Sequence, residues 1–160
     1  MSAHQENRHF MKLAQELALN NIRQNGGGPF GAVIVKDSKL VSMGMNIVTA
    51  ENDPTAHAEI VAIRNAGRYL RTFNLSGCVI YTSSEPCPMC LAAIHWAHLD
   101  SIYYMNTRNQ VAAIGFDDDF IGRELRKPSA RQRLKMRRII LPNALAALKA
   151  WEEKIDKIRY

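Results

Sequence analysis

The sequence predicts an α/β layered domain built around a mixed sheet. Three observations carry that expectation: a helical apolar period opens the chain, a hairpin of two apolar strands follows, and helical and strand patterns then alternate to the end. The 160 residues suit a single domain on a prior of about 100–200 residues per domain. With 47% of them hydrophobic, a sizeable core can form without disulfides.

Taken in order, Phe10, Leu13, Ala14, Leu17 and Ala18 fall on one face of a helix expected over residues 9–24. Gly26-Gly27-Gly28-Pro29 stops it. Ala32-Val33-Ile34-Val35-Lys36 and Leu40-Val41-Ser42-Met43-Gly44 flank Asp37-Ser38-Lys39 and read as a hairpin. Asp53-Pro54-Thr55 leads into a helix expected over residues 56–66, with Thr55 in the N-cap position. Cys78-Val79-Ile80-Tyr81-Thr82 reads as a buried strand, and a short helix over residues 88–97 starts on a proline. Ser101-Ile102-Tyr103-Tyr104 is the fourth strand and Arg138-Ile139-Ile140-Leu141 the fifth, with a loop over residues 115–119 between them. Leu145, Leu148, Trp151, Ile155 and Ile158 mark an amphipathic C-terminal helix running almost to Tyr160. There is no internal repeat, low-complexity tract or linker.

No uninterrupted apolar run reaches the 18 or so residues of a membrane span. The opening Met1-Ser2-Ala3-His4-Gln5-Glu6-Asn7 is polar and lacks the apolar region of a signal peptide. Three cysteines, two of them in a C-x-x-C pair, suit a reduced compartment and a metal. The expectation is a soluble cytoplasmic protein. The net charge is +6, with Arg123, Arg126, Lys127, Arg131, Arg133, Lys135, Arg137 and Arg138 grouped late in the chain. Such a group fits a phosphate-binding footprint or a solvated helix face and loop, and charge alone does not choose between them.

Chemistry concentrates in His57-Ala58-Glu59 and Pro86-Cys87-Pro88-Met89-Cys90, each placed where a loop enters a helix. Three residues apart, Cys87 and Cys90 can aim both sulfurs to one side of a first helical turn. A helix N-terminus and a bound cation both favour thiolate over thiol. One imidazole from His57 and two thiolates make a zinc site with its fourth tetrahedral position open to water. A closed, structural site would need a fourth ligand, and the candidates are badly placed. Cys78 lies on the order of 10 Å away along a strand, His98 about 12 Å along a helix, and His95 on another face. Glu59, two residues from a ligand, can reach that water, take its proton and pass it to a departing amine.

H-A-E with P-C-x-x-C resembles the cytidine deaminase superfamily, whose zinc enzymes carry H-x-E and P-C-x-x-C. The resemblance covers most of the chain. Gly28-Pro29-Phe30-Gly31-Ala32-Val33-Ile34-Val35, Asn46, residues 52–59 and Ser83-Ser84-Glu85-Pro86-Cys87-Pro88-Met89-Cys90 are similar to the branch of bacterial guanine deaminases and tRNA adenosine deaminases. Ala113-Ile114-Gly115-Phe116-Asp117-Asp118 and the ending from Ala150-Trp151-Glu152-Glu153 to Tyr160 resemble the guanine deaminases of that branch. Ser84 departs from relatives that often carry cysteine there.

The resemblance implies a three-layer αβα fold with a mixed five-stranded sheet and one Zn2+ per subunit. It also implies a single catalytic domain over residues 1–160 in a homodimer, with residues 142–160 swapped onto the partner. The implied reaction is guanine plus water to xanthine plus ammonia, with His57, Cys87 and Cys90 on the metal and Glu59 and Asp118 catalytic. Asn46, Ala58, Phe30, Trp96 and Tyr160 are the implied substrate contacts; the Asn46 amide offers donor and acceptor to a purine edge, and Phe30 and Trp96 can pack on a flat ring. Asp118 can accept N–H groups of guanine. His4, His9, His95, His98 and Cys78 read as surface or core. An adenosine deaminase acting on tRNA shares the zinc site but needs a basic groove and a flipped-out base. The basic group speaks for nucleic acid; the G-F-D-D segment and the C-terminal tail speak against it. Guanosine or another aminopurine is a further alternative, and a zinc-stapled interaction module lacks its fourth ligand.

Overall fold

Ser2 decides where the first helix begins. Its Oγ accepts from the Gln5 N–H at 3.3 Å while Gln5 Oε1 accepts from the Ser2 N–H at 2.9 Å, a reciprocal cap that opens α1 (Ala3–Arg23). The helix thus starts six residues before the expected His9, because the cap lies upstream of the apolar stripe. The computed structural model describes residues 2–159, in two compact units, Met1–Asp118 and Asp119–Tyr160.

In the first unit, β1 (Gly31–Lys36) and β2 (Lys39–Met45) form the hairpin. Asp37 and Ser38 take φ of 47° and 60°, so the connection is a two-residue turn in the left-handed region, whose twist matches the right-handed twist of the flanking strands. A short α2 (Val48–Glu51) follows. The Thr55 N–H and hydroxyl both donate to Asp53 Oδ1, at 2.8 and 2.7 Å. That Asx turn occupies Thr55, so the N-cap of α3 (Ala58–Leu70) passes to His57. β3 (Cys78–Ser84), α4 (Pro88–Trp96), β4 (Ser101–Asn106) and α5 (Arg108–Ala112) complete the unit.

The sheet order is β2-β1-β3-β4. β1 is antiparallel to both β2 and β3, and β3 is parallel to β4. Alternate residues of the central strands therefore face opposite layers. Val33, Val35 and Tyr81 join Phe10 of α1, whereas Ala32, Ile34, Cys78 and Ile80 join Ala58, Ala62 and Ala66 of α3 and Ile94 of α4. Both faces of β1 and β3 are covered, which makes three layers: α1, sheet, α3 with α4.

The expected sheet of five strands is corrected to four among the described residues. Residues 138–141 pair with no strand, and Ile139 is 82% exposed. The β-branched Ile139 and Ile140 express a tendency that only a pairing neighbour realises. The second unit holds α6 (Asp119–Arg126), a 3-10 turn (Ser129–Arg131) and α7 (Ala146–Glu153). Arg123 pairs with Asp119 and Lys127 with Glu124, and the Arg133 N–H donates to Glu124 Oε2 at 2.6 Å. α7 ends earlier than its apolar period suggests, because Lys154 turns extended and Leu148, Ile155 and Ile158 stay exposed.

Packing between β2 and α3 is set by Gly44. A Cβ there would collide with the Ala58 carbonyl oxygen and stand 2.5 Å from the Ala62 nitrogen, and Ser42 Oγ donates to the Ala62 carbonyl at 2.8 Å on the same side. Gly44→Ala must push α3 off the sheet, and its thermal melt should show a loss of about 1–3 kcal/mol; an unchanged melting temperature would show that the helix can shift freely.

Candidate active site

α3 and α4 pack on the same face of the sheet and start on the residues singled out by sequence. His57 caps α3 with no side-chain cap bond, which leaves its ring available. Cys87 caps α4, accepts the Cys90 N–H on its sulfur at 3.4 Å, and is followed by Pro88 in the first helical position. The backbone thus aims Cys87 and Cys90 together before any metal is considered.

His57 Nδ1 lies 3.7 Å from Cys87 Sγ and 3.5 Å from Cys90 Sγ. Ligand atoms on a tetrahedral zinc, with its ordinary Zn–N and Zn–S lengths, stand about 3.6 Å apart. All three donor atoms fall within 4.8 Å of one another, and imidazole with thiolates is a donor set that zinc favours. The residues fit the ion, and Cys78, fully buried in the core, takes no part.

Proton affinities in the cluster reflect the same closeness. Donation from Cys90, helped by His57, brings the Cys87 thiol down to about 4. Cys90 is pushed far up by its bond to Cys87 and by burial, so it keeps the proton that the two sulfurs share. His57 is raised chiefly by its hydrogen bond with Cys87. In the first turn of α3, Glu59 is buried, and that desolvation raises its carboxyl above the usual range.

Asp118 reaches the cluster's surroundings from beyond α5. Its Oδ1 faces Arg108 Nε at 3.3 Å, and neither atom has another hydrogen-bond partner among the described residues. Burial raises the Asp118 carboxyl while Arg108 opposes the rise. Arg108 is the junction of this corner. Its N–H donates to Glu85 Oε2 at 3.0 Å, Nη2 donates to the Pro86 carbonyl at 3.1 Å, and Nη2 lies 3.7 Å from Glu85 Oε1. Sequence reasoning missed Arg108 and Glu85, since nothing local marks an arginine after a strand as a bridge to a ligand-bearing loop.

Asn46 is buried at the end of β2, and its Oδ1 accepts from the Gly28 and Val48 N–H groups, each at 3.3 Å. Phe30 is half-buried against the core and meets Phe116 edge-to-face at 5.0 Å. Ala58, between His57 and Glu59, is 1% exposed. Trp96 sits at the far end of α4, 65% exposed, beside Ile60, Ile63 and Phe73. Tyr160 lies outside the described residues.

Zinc should be recovered stoichiometrically with the purified chain and fall to trace levels in Cys87→Ala, by elemental analysis. Because Nδ1 of His57 must be unprotonated to bind and its affinity for protons is raised, zinc affinity should weaken as pH is lowered. Full zinc content in Cys87→Ala would remove that sulfur from the site.

A family model described as the cytidine and deoxycytidylate deaminase zinc-binding region matches residues 4–106. The chain is 44% identical to guanine deaminase of Bacillus subtilis (strain 168) over 151 residues, 94% of this chain and 97% of that one. A crystal structure of B. subtilis guanine deaminase superposes with a TM-score of 0.93 at 43% identity, covering 96% of this chain and 98% of that chain. A structure of guanine deaminase from Nitrosomonas europaea gives a TM-score of 0.65 at 30% identity, covering 88% and 70%. A tRNA-specific adenosine deaminase of Buchnera aphidicola subsp. Baizongia pistaciae is 33% identical over 133 residues, 81% of this chain and 80% of that one. With a three-layer fold, a His-Cys-Cys cluster at two helix starts and a buried glutamate beside it, the chain belongs to the cytidine and deoxycytidylate deaminase zinc-binding family.

Proposed function

We propose that this chain is a guanine deaminase, converting guanine and water to xanthine and ammonia. The observation that carries the reading is its similarity to the B. subtilis enzyme along nearly the whole of both chains, including the segment after residue 106 where the zinc-binding family match ends. The tRNA-specific relative is less similar and covers less of the chain.

His57, Cys87 and Cys90 hold the metal in this reading. When bound, zinc supplies Lewis acidity that makes water a nucleophile near neutral pH. Glu59 moves the protons. Its carboxylate takes one from the attacking water and delivers it to a ring nitrogen as the C2–O bond forms; it then takes the proton of the new C2 hydroxyl and hands it to the amine, so that the C2–N bond breaks, the C2 carbonyl forms and ammonia leaves. Burial of Glu59 suits this work, because lifting its carboxyl above the usual range makes the carboxylate a better proton acceptor. Asp118 accepts purine N–H groups, held in place by Arg108. Asn46, the backbone at Ala58, and the ring of Phe30 line the base.

The same reading makes residues 1–160 one catalytic domain, with residues 142–160 crossing to a partner subunit in a homodimer. The exposed apolar side chains of Leu148, Trp151, Ile155 and Ile158 support a docked tail. Tyr160 remains the proposed substrate contact of the swapped segment, whereas Trp96, at the far end of α4 from Cys87, lies off the metal cluster. The chain acts in the cytoplasm; among the described residues no helix is long and apolar enough to cross a membrane.

Zinc-loaded protein should release ammonia rapidly from guanine, and Glu59→Gln should retain zinc while kcat falls about 10²–10⁴-fold. Release from guanosine, or from adenosine in RNA, with guanine inert would replace the substrate and leave the zinc chemistry in place. Deleting residues 145–160 should abolish both dimerisation, read by sedimentation, and turnover. A fully active monomer would overturn the swap.

A further inference from the structure

Asn21 is a polar side chain on the buried stripe of α1, 1% exposed. An amide in that position is costly unless its hydrogen bonds are made. Nδ2 makes two: to the Gly28 carbonyl at 2.8 Å and to the Asn46 carbonyl at 2.7 Å. The Asn21 carbonyl also accepts the Gly26 N–H at 3.0 Å. One helical residue therefore ties two separate segments, the glycine loop before β1 and the chain leaving β2.

These segments touch directly as well. A Cβ on Gly27 would collide with the Asn46 carbonyl oxygen and stand 2.7 Å from Asn46 Oδ1. The Asn46 N–H donates to the Phe30 carbonyl at 3.2 Å. With Oδ1 accepting from both Gly28 and Val48, its two lone-pair directions are used. What the Asn46 side chain has left to offer is Nδ2, which bonds to no protein group among the described residues. The expectation of a donor and an acceptor at Asn46 thus reduces to a donor.

We propose that Asn21 is a positioning residue that locks Asn46 with its amide nitrogen outward, so that the site selects a purine edge presenting a hydrogen-bond acceptor, a ring carbonyl or an unprotonated ring nitrogen. The assignment of the ligand rests on the guanine deaminase reading; the lock itself does not. Removing the Asn21 amide frees the two carbonyls, lets the glycine loop separate from residue 46, and releases the Asn46 side chain to rotate. Proton transfer at Glu59 and metal binding by His57, Cys87 and Cys90 use other elements and are left intact.

The test compares wild type, Asn21→Ala, Asn46→Ala and the double variant as zinc-loaded full-length protein. Asn21→Ala should keep its zinc, raise KM for guanine about tenfold and change kcat by less than about threefold, since binding rather than chemistry loses hydrogen bonds. In the double variant KM should be no worse than in Asn46→Ala alone, because both substitutions break one device. Amide hydrogen exchange measured by NMR should quicken at Gly28 and Val48, with the β1–β3 ladder unchanged. Fully additive KM losses, or unchanged exchange at Gly28 and Val48, overturn the proposal. Should Asn21→Ala melt globally, Asn21→Ser is measured in its place, and global melting of both marks Asn21 as merely structural and equally overturns it. If wild-type protein leaves guanine untouched, the guanine reading fails, while the exchange rates still decide the lock.

Discussion

Two helices that begin side by side on one face of a sheet are the constraint on which the rest of this molecule depends. His57 and Cys87 occupy the N-cap positions of α3 and α4, where φ and ψ are extended; the His57 ring makes no cap bond, and the Cys87 sulfur folds back onto the Cys90 N–H. Both starts expose unpaired N–H groups and the positive end of the helix dipole, which favours thiolate sulfur and a carboxylate nearby. The sheet brings the starts together: the chain runs from β2 through α2 to α3 and from β3 to α4, and β1 between the two strands pairs with both. A slip of one residue in either register would turn the side chains of that strand to the opposite layer and displace the helix start that follows it.

Charge is what makes this site expensive to build. Two sulfurs, an imidazole and Glu59 lie within one poorly hydrated corner, and their proton affinities move in opposing directions as a result. A divalent cation held by His57, Cys87 and Cys90 would relieve that frustration by replacing shared protons with one charge that all three face. Farther out, Glu85, Arg108 and Asp118 form a second charged group, and Arg108 also holds the Pro86 carbonyl beside Cys87. The ligand loop and Asp118 are therefore joined through one guanidinium, whose planar fork serves several acceptors at once.

Much of the site could be read in order along the chain, because its parts are local. An H-A-E and a P-C-x-x-C each lie within one helical turn, so spacing alone states which side chains share a face. Asn21 left a trace too, as a polar residue on the Phe10, Ala14, Ala18 stripe, where burial demands partners. Arg108 left none, since its three partners come from residues 85, 86 and 118 and meet only in the folded chain. The N-cap of α3 was displaced from Thr55 to His57 by an Asx turn that competes for the same threonine. The fifth strand failed for a related reason. The β-branched Ile139 and Ile140 carry the tendency to extend, but a strand exists only where a neighbour supplies the ladder.

The amino-acid sequence by itself determined the layers, the hairpin, the three side chains of the candidate metal cluster and the glutamate beside them, since each is a matter of periodicity or spacing within a few residues. Tertiary structure decided what depends on segments far apart: the four-stranded order, the charges gathered on Arg108, and the direction in which Asn46 presents its amide. Those features are set by hydrogen bonds and ion pairs between residues from about 10 to 50 positions apart, and no local pattern encodes a partner at that distance.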